Sequence, residues 1–361
     1  MRIAVVVGTR PEIIKMAPIV RACRARGVPC LLLHTGQHYS FELDGVFFRE
    51  LELPAPDANL EVGSGSGAQQ VASALLGLGA VLQERRPDVV LVEGDTNSVL
   101  AAALAAYQAG IAVGHVEAGL RSRDRDMPEE LNRILTDHVS DRLFAPTEGA
   151  RANLRGEGIA ETRIHVTGNT VVDELERQRE RARRPGRLEH FGVEAGRYAL
   201  ATVHRAENVD RDDRLRGILE GLAAAGEALG LPVLAALHPR TQARVAAVDP
   251  GLTARLRVLP PLGYLDFLGL HADAAVMLTD SGGLQEEACC LQVPCVTLRD
   301  NTERPESVAV GANVLAGADA GRIVACALAM SASPRGWPNP FGDGHSGERI
   351  VDLLLGAGAA S

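Results

Sequence analysis

The feature that most constrains this chain is the regular alternation of short, β-branched apolar runs with longer helical patterns. RIAVVVG precedes PEIIKMAPIVRACRARG, DVVLVEGD precedes SVLAAALAAYQAG, AVGHVEAG precedes PEELNRILTDHVS, and DRLFAPT precedes a helix and RIHVTG. Such alternation implies βαβ units and a parallel sheet. A charged, poorly apolar stretch at 174–190 (ELERQRERARRPGRLEH) interrupts it, and it restarts with YALATVH, LPVLAALHP, RLRVLP, AAVMLTD and PCVTL. A chain of 361 residues is also long for one domain, since domains usually run to roughly 100–200 residues. The expected fold is therefore α/β, with two Rossmann-like domains whose parallel sheets face a central cleft. The boundaries fall at 1–170 for the first domain and 171–345 for the second, with a final helix at 346–361 packing back on the first.

Composition narrows the partners. Hydrophobic residues make up 46% of the chain, yet no segment approaches the ~18 uninterrupted apolar residues of a membrane span. The opening MRIAVVVGTRPE fits a buried first strand better than a secretory leader, so a cytoplasmic protein with no membrane partner is expected. The six cysteines show neither C-x-x-C spacing nor disulfide-rich density and read as reduced packing residues. A net charge of −9 argues against nucleic acid as the main partner. An anionic ligand would have to be met by local cations.

Open parallel sheets bind ligands outside the carboxyl ends of their strands, and the chemistry-bearing residues gather there. They are Gly8-Thr9-Arg10-Pro11-Glu12, Thr35-Gly36-Gln37-His38, Glu93-Gly94-Asp95-Thr96, His115-Val116-Glu117, His204-Arg205, His238-Pro239 and Thr279-Asp280-Ser281. Ser281, Gly282 and Gly283 stand where a helix begins, a place whose exposed N–H groups and dipole suit a phosphate. A Ser N-cap with turn glycines is the ordinary alternative. Thr9 and Glu12 have capping-box spacing, as do Asp126 and Glu129. Lys15 has the spacing to pair with Glu12 on a solvated face. Asp95 fits a turn, and His204 a helix start. Against these readings, Asp95, Glu117 and Glu129 converging on one cleft would make a proton-transfer apparatus.

Other motifs are absent or weak. Neither G-x-G-x-x-G nor a P-loop occurs, and GSGSG at 63–67 reads as a glycine loop. His34, His138, His165, His190, His238, His271 and His345 lack metal-ligand spacing and read as structural or solvent-facing. No metal and no cofactor are expected.

GTRPEIIKMAP, HTGQH, GDTNSVLAAALAA, HVEAGLRS, MPEELNR, TVHRAEN, TDSGGLQEEA and TERPE occur in this order over nearly the whole chain. In this the chain closely resembles the non-hydrolysing UDP-N-acetylglucosamine 2-epimerases. The resemblance implies the two-domain GT-B-like arrangement shared with a large class of glycosyltransferases, and reversible interconversion of UDP-GlcNAc and UDP-ManNAc. It implies that Ser281, Gly282 and Gly283 hold the diphosphate, aided by Arg10 and His204. Glu287 would bind the ribose, backbone near Phe267 the uracil, and Lys15 would lie beside the sugar. Asp95, Glu117 and Glu129 match the carboxylates implicated in proton transfer, and a homodimer is implied.

The chemistry agrees. No ketone acidifies the hydrogen at C2, and no dinucleotide site offers a way to make one. Elimination of UDP to a 2-acetamidoglucal, then re-addition from the other face, needs acid–base carboxylates and cations for departing UDP. It also calls for closure between the domains. Bacterial members often bind a second UDP-GlcNAc as activator through a Gln and an Arg, where this chain aligns Ser40 and Ser66, so hyperbolic kinetics are expected. HTGQHYS, GDTNSV and MPEELNR also resemble relatives acting on UDP-2,3-diacetamido uronic acids. The remaining alternatives are a hydrolysing epimerase, a glycosyltransferase, and an inactive nucleotide-sugar-binding regulator. The last should lack the carboxylates that are present here.

Overall fold

The strands IAVVV and VVLVE are buried at every position, as expected of parallel strands covered on both faces. The computed structural model describes residues 1–36, 41–237, 239–248, 251 and 254–357. Gln37, His38, Ser40 and His238 lie outside them.

Among the described residues the strands form two parallel sheets, in a chain that divides into two compact units. The first unit comprises Met1–Arg177 and Phe341–Ser361, and the second Gln178–Pro340. In the first, β1 (Ile3–Val7), β2 (Cys30–His34), β3 (Ala58–Asn59), β4 (Val89–Glu93), β5 (Ala112–Val116), β6 (Arg142–Ala145) and β7 (Ile164–Val166) take the order β3-β2-β1-β4-β5-β6-β7. Val5 of β1 pairs with Leu32 on one side and Leu91 on the other. In the second, β8 (Ala199–Thr202), β9 (Val233–Ala235), β10 (Arg257–Val258), β11 (Val276–Thr279), β12 (Cys295–Thr297) and β13 (Asn313–Leu315) take the order β10-β9-β8-β11-β12-β13. Both orders reverse direction beside the first strand, at β1/β4 and at β8/β11. Such switch points open a crevice at the strand ends.

The helices that position the site are α1 (Arg10–Ala25), α2 (Gly67–Arg85), α3 (Asn97–Gln108), α4 (Pro128–Val139), α5 (Thr170–Ala182), α6 (Tyr264–Ala272), α7 (Gly282–Leu291) and α8 (Ser346–Ala357). Leu78 and Leu82 of α2 and Val99 and Ala103 of α3 pack with Val6 and Val113 in the first core. Ala201, Leu219, Leu222, Leu278 and Ile323 meet in the second. The last helix, α8, belongs to the first unit. Asp173 accepts from the Ser346 and Gly347 N–H groups at 3.0 and 2.7 Å, and Asp352 takes the Arg26 guanidinium at 2.6 and 2.9 Å. The boundary between units falls inside α5, at Arg177.

Candidate active site

In the first unit, β1 runs through Gly8 and Thr9 into α1, whose first turn carries Arg10 and Glu12. The expected capping box does not form. Thr9 occupies the N-cap, but its hydroxyl makes no capping bond and instead donates to Glu12 Oε1 at 3.0 Å. Thr96, from the corner after β4, donates to the same oxygen at 2.7 Å, and Gly8 N–H to Oε2 at 2.5 Å. Glu12 thus ties the two corners of the switch point together. Burial pushes its carboxyl up to about 7, against the lowering pull of these hydrogen bonds. Arg10 stacks its guanidinium 4.9 Å from the centroid of Phe47.

Lys15 corrects a second expectation. It does not pair with Glu12 on a solvated face. It is buried, with Nζ 3.0 Å from Glu93 Oε1 and in contact with Glu117 Oε2. Glu117 has a φ of 66°, a left-handed conformation that few side chains adopt. Asn169 Nδ2 donates to its Oε2 at 3.1 Å. Burial holds the Glu93 carboxyl well above its ordinary range, with Lys15 opposing and Glu117 adding to the rise. Beneath this corner, fully buried His115 bridges Asp137 Oδ1 (2.6 Å) and the Gly94 carbonyl (2.9 Å). Burial raises the Asp137 carboxyl, but His115 and Arg121 overcome that and hold it below its ordinary value.

Asp95 is engaged by Arg133, whose Nε and Nη2 donate to Oδ2 at 3.0 and 2.7 Å. Asn132 Nδ2 also holds the Asp95 carbonyl, at 2.9 Å. Glu129 is half-buried in the first turn of α4. Its expected capping box with Asp126 is absent, because the helix begins after Met127 and no side chain caps it. The neighbouring Glu130 does the structural work. It is buried, accepts from the Ser122 and Arg123 N–H groups at 2.9 Å each, and takes Arg133 Nη1 at 2.6 Å. Each expected carboxylate in this corner therefore has its own surroundings: Lys15 at Glu117, Arg133 at Asp95, the α4 N-terminus at Glu129.

In the second unit, Asp280 follows β11 and is fully buried. It accepts from the His204 and Arg205 N–H groups (3.1 and 2.9 Å) and from Asn208 Nδ2 (3.1 Å), and pairs with His204 Nδ1 at 2.9 Å. Burial raises its carboxyl, but His204 and the N–H donors win and hold it at about 2. The His204 side chain is 45% exposed, so the ring is anchored on one edge and open on the other.

Ser281 occupies the N-cap of α7, but its hydroxyl makes no capping bond. The ordinary reading of this serine is thereby lost. The first N–H groups of a helix have no partner within it. A Cβ on Gly282 would strike Glu303 Oε1, whereas one on Gly283 would meet nothing within 4 Å. Gly282 therefore answers to packing and Gly283 borders open space. Glu303 is buried, takes Arg299 Nη1 at 2.9 Å and lies 3.6 Å from Arg205 Nη2. Glu286 takes Arg304 Nε at 2.8 Å. Further along α7, Glu287 lies 3.7 Å from His271 Nδ1, and the His271 ring lies 5.9 Å from that of Phe267. Phe267 and Glu287 thus share one neighbour. The Phe267 N–H itself is taken by the Gly263 carbonyl at 3.1 Å.

Glu93, Glu130, Arg133, Asp280 and Glu303 are the participants that the sequence reading did not single out as site residues. Glu93 and Asp280 had a signal, since each is an acid ending an apolar strand. Among the described residues no group of three or more His, Cys, Asp and Glu is placed to hold a metal ion, and no helix is long and apolar enough to cross a membrane.

Two doubly wound parallel units, each with charged and glycine-rich corners beyond its switch-point strands, define an α/β enzyme built of two Rossmann-like units. A family model described as UDP-N-acetylglucosamine 2-epimerase matches residues 21–355. The UDP-N-acetylglucosamine 2-epimerase of Methanocaldococcus jannaschii is 48% identical, covering 98% of this chain and 99% of its own. The crystal structure of that organism's enzyme with UDP-GlcNAc and UDP superposes with a TM-score of 0.93, at 48% identity over 98% of this chain and 99% of that one. A UDP-2,3-diacetamido-2,3-dideoxy-D-glucuronate 2-epimerase of Pseudomonas aeruginosa is 39% identical, covering 98% of this chain and 99% of its own. The chain belongs to the UDP-N-acetylglucosamine 2-epimerase family.

Proposed function

We propose that the protein interconverts UDP-GlcNAc and UDP-ManNAc by eliminating UDP to a 2-acetamidoglucal and adding it back to the opposite face. The observation that carries this reading is the buried cluster of Lys15 with Glu93 and Glu117 beside the β1/β4 switch point. Buried carboxylates paired with an ammonium are suited to moving a proton on and off carbon. We assign proton transfer to Asp95, Glu117 and Glu129, with Lys15 beside the sugar. The UDP end is assigned to Arg10, His204, Ser281, Gly282 and Gly283 at the diphosphate, Glu287 at the ribose and the backbone near Phe267 at the uracil. The uncapped start of α7 supports the diphosphate assignment, as does the open edge of His204.

The test is proton NMR of the purified protein with UDP-GlcNAc. UDP-ManNAc growing to a steady ratio, and the same ratio reached from UDP-ManNAc, is the expected outcome. Free ManNAc accumulating with UDP would instead mark a hydrolysing enzyme. The full-length likeness to the Pseudomonas aeruginosa diacetamido-glucuronate epimerase favours a second substrate of the same reaction type. Turnover of that sugar nucleotide with none of UDP-GlcNAc would establish it. A homodimer is also part of the reading. Leu76, Tyr107, Leu131 and Leu135 are exposed apolar residues on α2, α3 and α4, which pack α2 on α3 and α3 on α4. Gathered into one contiguous patch, such side chains would mark a contact surface. Light scattering that returns a monomer would contradict it.

A further inference from the structure

His271 is a buried side chain to which the proposed reaction assigns no role. It lies on α6, is fully buried, and neither of its ring nitrogens has a hydrogen-bond partner among the described residues. Phe267, one turn earlier on the same helix, sets its ring 5.9 Å away at an angle of 59°. Polar nitrogens without partners in such a place are costly, and an apolar side chain of similar size would avoid the cost. What the histidine offers in return is its position beside Glu287. The helices α6 and α7 pack together, and Glu287 Oε2 of α7 stands 3.7 Å from His271 Nδ1, just beyond hydrogen-bond range. The Glu287 side chain is itself 11% exposed, so its carboxylate stands between a buried imidazole and the surface of the unit.

We propose that His271 is the positioning residue for Glu287: its Nδ1–H donates to Oε2 and holds the carboxylate with Oε1 turned to the ribose hydroxyls. The proposal rests on the reading of Glu287 as the ribose contact. A glutamate side chain has several rotamers to lose when it is ordered, and a donor fixed on a buried ring limits that loss before the nucleotide arrives. A carboxylate has two acceptor oxygens, so one can be held from within while the other serves the ligand. The bond is made by a contraction of under about 1 Å, and a hydrogen bond to an ionised acceptor is among the stronger ones. His271, being enclosed, acts on the nucleotide only through Glu287.

The test compares the affinities of UDP and 2′,3′-dideoxy-UDP, which lacks both ribose hydroxyls, by titration calorimetry. The ratio of the two affinities isolates the ribose grip. In His271→Leu the preference for UDP should shrink by about threefold or more relative to wild type. His271→Asn puts an amide N–H donor near the place of Nδ1 and should restore the preference to within about twofold of wild type. An unchanged preference in His271→Leu would overturn the proposal, as would an equal loss of affinity for both nucleotides, which is what disturbed packing produces. Glu287→Gln separates the two readings. If it keeps the wild-type preference, the assignment of Glu287 to the ribose fails; if it loses the preference while His271→Leu does not, the proposal for His271 fails alone. A crystal structure of the wild-type protein with UDP needs no variant. Nδ1 and Oε2 should stand within about 3.2 Å, and a separation still near 3.7 Å would overturn the proposal.

Discussion

Asp280 holds His204 at two atoms at once: its carboxylate accepts the His204 N–H at 3.1 Å and pairs with Nδ1 at 2.9 Å, while also taking the Arg205 N–H at 2.9 Å. One buried carboxylate thereby fixes both the backbone and the ring of a residue assigned to the diphosphate. Its folded value of about 2 lies below the ordinary 3.8. The stabilisation is therefore present above pH 3.8 and lost as the pH falls toward 2, amounting to roughly 2 kcal/mol. Asp280→Asn removes the charge and turns an amide N–H toward donors. It should cost about 2–3 kcal/mol in urea unfolding near neutral pH, flatten the acid limb of stability, and lower kcat roughly a hundredfold.

Lys15 pairs with two buried carboxylates, so Lys15→Met removes the ammonium that Glu93 and Glu117 share. Breaking a buried pair from one side costs about 3–5 kcal/mol. Chemical denaturation should show a loss of that size, and turnover should fall by at least about a hundredfold. Unchanged stability would mean that the cluster is not closed to water in solution.

The sequence shows where the chemistry gathers better than it shows who touches whom. Alternating βαβ patterning placed Asp95, Glu117, His204 and Ser281 at strand ends, because a doubly wound sheet leaves its crevice there. Partnership was harder to read. Thr9 and Glu12 have the spacing of a local cap, but the Glu12 carboxylate is taken by Thr96, 84 residues on. Glu129 and Glu130 differ in sequence by one step. Which of them is buried depends on the helix starting after Met127 and not after Asp126. Glu93 reads as an acid at a strand end, but its partners Lys15 and Glu117 are brought to it from 78 residues before and 24 after. Long-range ion pairs of this kind leave no local spacing to recognise.

The two glycines at the start of α7 should separate packing from binding. Gly282→Ala drives a methyl into the Glu303 carboxylate, which Arg299 holds at 2.9 Å. A loss of about 1–3 kcal/mol is expected. Gly283→Ala meets open space and should leave thermal stability unchanged or higher by up to about 1 kcal/mol. It should nevertheless raise KM for the sugar nucleotide, since the methyl stands where the diphosphate is assigned. Equal KM values for wild type and Gly283→Ala would move the diphosphate elsewhere.

Glu12 gives stability a slope of the opposite sign to that of Asp280. Its carboxyl rises from 4.5 to about 7 on folding, so between those values the folded protein holds a proton that the unfolded chain has lost. Stability is complete below the unfolded value and falls as the pH climbs, by about 3 kcal/mol across that window. Glu12→Gln should remove about that much of the difference between urea midpoints taken near pH 5 and pH 8.

The central claim, that carboxylates in the first unit move the C2 proton, is tested most directly by running the reaction in deuterium oxide and reading C2 of both sugar nucleotides by NMR. The account predicts that deuterium enters C2 as UDP-ManNAc forms, that exchange and epimerisation share a requirement for UDP retained on the enzyme, and that both are depressed in Asp95→Asn, Glu117→Gln and Glu129→Gln. Epimer appearing with its C2 hydrogen retained from the substrate, or formed undiminished by all three variants, would contradict it.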